Sequence, residues 1–271
     1  MNYWMNLPAE YRTGKFVILP IEYEKDLTYG KGASKGSAEI IKASEQLEYY
    51  DEQFEAEPFL EGIKQLETVK ATEPEEMIRQ VSKLVNENKN KFIIGVGGDH
   101  SVTLGLTQDL EEDVSVIILD AHPDMFYSWN NSQFNHRCVA QKLVGKHQVL
   151  EIGISAMDLD EKKIIENNPQ INLIKAYDYN QEILINELNK LSKKIYLSID
   201  VDAFNFINNT GTPEPGGFNW NQAIEILNII FENKEVIGAD VVEFAPENNF
   251  RAEAYSLAKL IYKIMSLKSK E

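Results

Sequence analysis

The chain carries a single cysteine, Cys138, among 271 residues. A disulfide within the chain needs two cysteines and a thiolate zinc site needs several, so both are excluded, and a reducing compartment fits. Basic residues are scarce as well: 27 lysines and arginines face 43 aspartates and glutamates, for a formal charge of −16. Such a field repels phosphate backbones and anionic lipid surfaces, so neither nucleic acid nor a membrane is expected as a partner. Long apolar runs are also missing. The longest, such as VSVIIL, suit a strand rather than a bilayer, and the opening MNYWMNLPAEYRTGK has no continuous signal core. A cytoplasmic location is expected. The three glycines of YGKGASKGS lack the G-K-[ST] order of a phosphate-binding loop, and Ser37 reads there as a helix N-cap, so nucleotide binding is not expected.

What the sequence does contain is an alternation. Short β-branched runs (KFVILP, KFIIGVGG, VSVIILDAH, QVLEIGI, INLIKA, KKIYLSID and EVIGADVVEF) read as strands. Between them SAEIIKASEQLEYY, EPEEMIRQVSKLVNENK, EKKIIENN, NQEILINELNKL, WNQAIEILNIIFENK and EAYSLAKLIYKIMSL read as helices. That order predicts an α/β fold, a doubly wound and mostly parallel sheet with helices on both faces. With 43% hydrophobic residues and no repeat, linker or break in composition, residues 1–271 read as one domain. The last four residues, rich in lysine and glutamate, are expected to fray.

Three of the strands end in concentrated polar motifs. IIGVGGDHS supplies His100, ILDAHPD supplies Asp120, His122 and Asp124, and YLSIDVDAF supplies Asp200 and Asp202. On an extended strand, positions two apart share a face, so the three residues of ILDAHPD are expected to converge. Ligands of parallel sheets bind beyond the carboxyl ends of the strands, where these motifs lie. Carboxylates of one sign gathered there cost several kcal/mol each, in order of magnitude, unless they are neutralised. Four carboxylates formally balance two divalent cations, and oxygen and imidazole donors without thiolates favour manganese or a similar ion over structural zinc. Two such ions sharing a water lower its pKa from 15.7 toward about 7, which points to hydrolysis.

The motifs GGDHS, DAHPD and SIDVD, in this order and at about these separations, closely resemble those of the ureohydrolases, the arginase and agmatinase family of binuclear manganese enzymes. The resemblance runs from LTYGKGASKGSAEIIKAS to VVEFAP and the final helix. It implies an arginase-like three-layer sandwich holding two Mn2+ per chain. His100 and Asp124 match the ligands of one manganese, His122 and Asp202 those of the other, and Asp120 and Asp200 the bridging pair. Glu243 matches the glutamate that binds the substrate guanidinium, and His136 the histidine that shuttles protons near the departing amine. Asp120 and Asp124 would help hold the developing charge of the intermediate through the metals. Close relatives form trimers or hexamers, so a homo-oligomer is implied.

The loop GTPEPGG is closer in form to agmatinases than to arginases, so the expected reaction is hydrolysis of agmatine to putrescine and urea. Arginase, guanidino-acid hydrolase and formimidoylglutamase activities stay open, as does a metal-binding member without catalysis. MFYSWNNSQF, between Asp124 and His136, departs from the family: Phe126 stands about where agmatinases have tyrosine, and two asparagines about where they have Asn-Gly. No lysine or arginine lies in that loop, which argues against an anionic substrate, although Arg137 replaces the usual glycine after His136. Asn205 and Phe206 replace a common Asp-Pro. Asp158 aligns with an arginase residue that contacts the substrate's α-amino group, but Ser155 and Ala156 break the flanking motif and no role is assigned. Cys138 reads as a buried helix residue rather than a nucleophile, and His147 as a surface residue.

Overall fold

A computed structural model of the chain describes residues 2–246 and 251–271. Its strands are β1 Phe16–Glu22, β2 Ile63–Gln65, β3 Val69–Lys70, β4 Phe92–Val96, β5 Ser115–Leu119, β6 Val149–Ile154, β7 Ile171–Lys175, β8 Lys194–Asp200 and β9 Glu235–Val242. The helices are α1 Gly36–Ser44, α2 Pro74–Glu87, α3 Thr103–Leu106, α4 Val139–Leu143, α5 Leu159–Glu166, α6 Gln181–Leu188, α7 Trp220–Asn233 and α8 Arg251–Lys270. The sheet runs in the order β2-β1-β4-β9-β8-β5-β6-β7, with β3 beside β1, and each of these pairings is parallel.

Both faces of the sheet are covered, which is why its strands read as nearly unbroken apolar runs. In β5, Ile117 and Leu119 join one core with α1, α6, α7 and α8, through residues such as Ile40, Leu188, Ile230 and Leu260. Val116 and Ile118 face the opposite core, with Met77 and Val81 of α2, Leu104 and Leu106 of α3 and Leu143 of α4. No helix among the described residues is long and apolar enough to cross a membrane.

Some expectations need correction. The first helix stops at Ser44 instead of continuing to Tyr50, and Ser37 does not cap it. A 3-10 turn over Ala33–Lys35 extends the helical start backwards, and Glu24 Oε2 takes the free N–H groups of Gly32 and Ser34, each at 2.9 Å. Ser37 Oγ is left buried without a partner. The C-terminus does not fray at its last four residues: α8 continues to Lys270, Lys268 pairs with Glu271, and Lys15 Nζ bonds the Lys268 carbonyl at 2.8 Å. The short β2 and β3 were not anticipated, since two or three residues show no period.

Candidate metal centre

Four adjacent strands at the centre of the sheet, β4, β9, β8 and β5, deliver the polar groups at their carboxyl ends. After β4 the chain must reverse sharply. Gly97 and Gly98 do so with φ of 82° and 88°, a region that favours glycine, and Asp99 then caps the turn that carries His100, its Oδ1 accepting from the N–H of Ser101 at 3.0 Å. After β5, ILDAHPD does not converge as the face of a strand. The strand ends at Leu119, Asp120 to Asp124 lie in the following loop, and Asp124 itself is left-handed with φ of 46°. Asp200 ends β8, and Asp202 sits in the 3-10 turn beyond it. Glu243, just past β9, is also left-handed at φ 64°. Two such residues without a glycine's freedom cost on the order of 1–3 kcal/mol each, a strain typical of functional sites.

These turns gather six side chains. His100 Nδ1 faces Asp124 Oδ2 at 2.9 Å, Asp120 Oδ2 at 3.0 Å and Asp200 Oδ2 at 3.5 Å. His122 Nδ1 lies 2.9 Å from Asp202 Oδ2 and 3.7 Å from Asp120 Oδ1. Two groups of donors lie within 4.8 Å of one another, His100 with Asp120 and Asp200, and Asp120 with His122 and Asp202. Asp120 belongs to both. The outer oxygens are pinned by the backbone: Asp120 Oδ1 accepts from His122 N at 2.6 Å, Asp200 Oδ1 from Asp202 N at 3.0 Å, and Asp202 Oδ1 from Ala121 N at 3.0 Å. Behind His100, its Nε2 meets Ser198 Oγ at 3.2 Å, and Ser198 donates to Asp240 Oδ1 at 2.7 Å. This carboxylate also accepts from Tyr196 and Thr103, and such a backing fixes the orientation of a ligating imidazole.

The cluster fits divalent cations. Asp120 and Asp200 are buried, and burial together with neighbouring carboxylates pushes both well above the ordinary aspartate value. Burial opposes the charged form of His100, yet Asp124 and the other acids outweigh it and push the imidazole up to about 10. Asp202 does the same for His122, up to about 9 against its burial. His100 Nδ1 and Asp120 Oδ2 are buried at ion-pair distance from one another, and neither makes a contact with hydrogen-bond geometry. An ion accepting lone pairs from oxygen and imidazole nitrogen satisfies these atoms and replaces the protons that hold the acids together. Cys138 is not among the donors: burial pushes its thiol up to about 11.

A cavity of about 360 Å³ opens above the cluster and is also lined by Glu243, His136, Thr28, Arg137, Asp158 and Glu161. Glu243 Oε1 accepts from the His100 N–H at 2.7 Å, and burial with the Asp99 carboxylate pushes its acid up to about 8. His136 Nε2 lies 2.9 Å from Thr28 Oγ1, and burial holds its imidazole below the ordinary value. Thr28 was not singled out in the sequence; a lone threonine in a glycine-rich loop gives no local signal. Ser198 and Asp240, inside an apolar strand pattern, offered one that could have been read.

The unusual loop has its own structure. Asn130 and Asn131, both left-handed, make a two-residue turn between Trp129 and Ser132, as asparagine permits. The Arg137 guanidinium sits 4.1 Å from the Trp129 ring centre and 4.5 Å from that of Phe126, while its Nη2 pairs with Asp158 at 3.1 Å. Asp158 caps α5 in a reciprocal box with Glu161. Phe206 stacks on Phe204, ring centres 5.0 Å apart, which gives that departure a packing role. His147 contradicts the surface reading. It is 2% exposed, its Nδ1 2.8 Å from the Val114 carbonyl, because the turn after α4 folds back onto the approach to β5.

Residues 14–266 match the model of the arginase family. The chain belongs to the arginase family. This arginase-family chain is 33% identical over 271 residues to an N(1)-aminopropylagmatine ureohydrolase of Thermus thermophilus, a match spanning 95% of this chain and 92% of that one. It is 27% identical over 276 residues to an agmatinase of Pyrococcus horikoshii, spanning 98% and 96%. Its fold superposes on the agmatine ureohydrolase of Thermoplasma volcanium with a TM-score of 0.85 at 26% identity, covering 96% and 92% of the two chains. The arginase-like fold and the class of enzyme, a hydrolase of the ureohydrolase kind, follow from these matches.

Proposed function

We propose that the chain hydrolyses the guanidino group of a linear cationic substrate, agmatine, releasing putrescine and urea. The observation that carries this reading is the junction, in one cavity, of Glu243 with a cluster of four aspartates and two histidines. His100, Asp124, Asp200, His122 and Asp202, with Asp120, which belongs to both donor groups, would hold two manganese ions. When bound, the pair supplies a Lewis acid that acidifies water toward neutral pH and neutralises the gathered carboxylates.

The residues of the chain then orient the reaction. Glu243 is fixed through Oε1 by the His100 N–H, leaving Oε2 to accept from the substrate guanidinium and turn its central carbon toward the cluster. Water oxygen adds to that carbon, and the carbon–nitrogen bond to the alkylamine breaks as a proton reaches the departing nitrogen. His136, on the wall of the same cavity and held by Thr28, is placed to pass that proton, with solvent as the other source. Asp124 and Asp120, 2.9 and 3.0 Å from the His100 imidazole, would help hold the developing charge of the intermediate through the cations they ligate. Arg137 offsets the charge of Asp158, with which it pairs, and Glu161 then leaves this end of the cavity with a surplus of acid, which favours a cationic substrate tail over a carboxylate.

A longer substrate, N1-aminopropylagmatine, is favoured by one observation: the Asp158 side chain is 61% exposed, so that the cavity gives onto solvent beside it and an extended amine can pass out. The name of the Thermus relative supports the same extension. The test is urea release by the manganese-loaded protein from agmatine, N1-aminopropylagmatine, arginine and guanidinobutyrate, with formiminoglutamate followed by formamide. A kcat/KM for the two amines at least about a hundredfold above that of the carboxylate-bearing compounds is expected. Preference for a carboxylate-bearing compound would overturn the substrate assignment, and silence across the whole panel would favour a member without catalysis.

A further inference from the structure

A second cavity, of about 330 Å³, lies on the outer helical layer between the segment after α1 and the middle of α8. None of the residues around it belongs to the metal centre. At its base Asp51 and Lys263 form an ion pair of 2.6 Å, with side chains 1% and 2% exposed. Asp51 Oδ1 is saturated, since it accepts from Lys263 Nζ and from the N–H groups of Gln53 at 3.0 Å and Phe54 at 3.1 Å. Asp51 Oδ2 is buried and accepts no hydrogen bond, the nearby Ser266 hydroxyl being turned to the Tyr262 carbonyl at 3.0 Å. A buried carboxylate oxygen without a donor is unfavourable, and an incoming N–H group would relieve it.

The walls indicate the class of donor. Glu48 and Glu52 add to Asp51 to give three carboxylates against the two ammoniums of Lys259 and Lys263. Lys263 is already committed to Asp51, and Lys259 Nζ reaches Glu52 at 3.4 Å, so the surplus charge is negative. Tyr50 and Tyr255, 51% and 36% exposed, supply aromatic faces at the rim, suited to an alkyl chain and to a cation. Burial pushes the Asp51 carboxyl up, but Lys263, the Ser266 hydroxyl and the Phe54 N–H together outweigh it and hold the acid below its ordinary value, so the carboxylate is anionic at neutral pH.

We propose that this cavity is a second binding site for a small primary alkylammonium ion, whose N–H groups donate to Asp51 Oδ2 and whose alkyl chain lies between Tyr50 and Tyr255. The inference is independent of the substrate assigned to the metal centre. It is tested by isothermal titration calorimetry of the full chain with n-butylamine, using n-butanol as the uncharged probe, and repeated on Glu48→Gln, Tyr255→Ala and Asp51→Asn. The expected result is one class of butylamine site that n-butanol does not fill, weakened about tenfold or more in Glu48→Gln and in Tyr255→Ala, both of which keep the hydrolytic turnover of the parent. Butylamine binding unchanged in those two variants would overturn the proposal, even if Asp51→Asn alone lost binding, because that loss would then reflect damage to the buried pair. Equal binding of butanol would overturn it too.

Discussion

The backbone N–H of His100 donates to Glu243 Oε1 at 2.7 Å, tying the end of β4 to the end of the neighbouring β9. One carboxylate oxygen is thereby spent on the fold and the other is left for a ligand. Gly211 passes so close that a Cβ there would lie 3.2 Å from Glu243 Oε2, so the loop after β8 also shapes this acid.

Glu243→Gln keeps an acceptor for the His100 N–H but loses the negative charge that a bound guanidinium would draw from an acid pushed up to about 8. The variant is expected to fold and retain its metal while KM for agmatine rises and kcat/KM falls by about ten- to a hundredfold, the equivalent of about 1.4–2.7 kcal/mol. Steady-state kinetics and elemental analysis of the same preparation check this. Loss of metal from the variant would show that Glu243 serves the cations instead.

Asp120 is shared by both donor groups, so Asp120→Ala is expected to act on two ions at once. Hydrolysis should fall below detection, and metal retained after dialysis should drop to less than one ion per chain, as read by inductively coupled plasma mass spectrometry. Undiminished turnover would refute the shared role.

Thr28 Oγ1, 2.9 Å from His136 Nε2, positions the imidazole without lining up with the metal cluster. Thr28→Val is expected to lower kcat about three- to tenfold with little change in KM and to displace the limb of the pH–rate profile that belongs to His136, while Thr28→Ser restores both. A profile that stays in place would leave Thr28 with packing alone.

His147 gives a stability test separate from catalysis. Burial lowers its pKa below the ordinary 6.5, opposed by the bond to the Val114 carbonyl, so the folded protein carries it neutral while the unfolded chain still takes up a proton. The unfolded state then binds more protons in the window from 6.5 down to the folded value, and stability falls as pH is lowered through it. In His147→Asn, whose amide can still donate to the carbonyl, this part of the slope should vanish from urea-denaturation curves recorded between pH 7 and 5. An identical slope in both proteins would show that His147 titrates normally.

Much of this architecture could be read from the chain, for reasons specific to each residue. His100, Asp120 and Asp200 each follow an apolar run that ends abruptly, so strand ends and polar motifs located one another, and the parallel sheet followed from the alternation with helices. What could not be read depends on distant segments. His147 is buried by the approach to β5, Ser37 loses its capping role to Glu24, and Thr28 meets His136 across 108 positions of sequence. The convergence of ILDAHPD was anticipated on a wrong geometry, since left-handed Asp124 rather than a strand's period of two brings the last acid back. Arg137 illustrates a further limit: only the Asn130–Asn131 turn, which swings Trp129 over the guanidinium, shows what holds it against Asp158.

The central claim, a guanidino hydrolase that works through cations held by this cluster, is tested most directly by urea release from agmatine before and after exhaustive dialysis against a chelator, then after manganese is returned. The account predicts turnover that disappears with the metal and returns as manganese approaches two ions per chain. Turnover that survives in protein shown to be free of metal would contradict it.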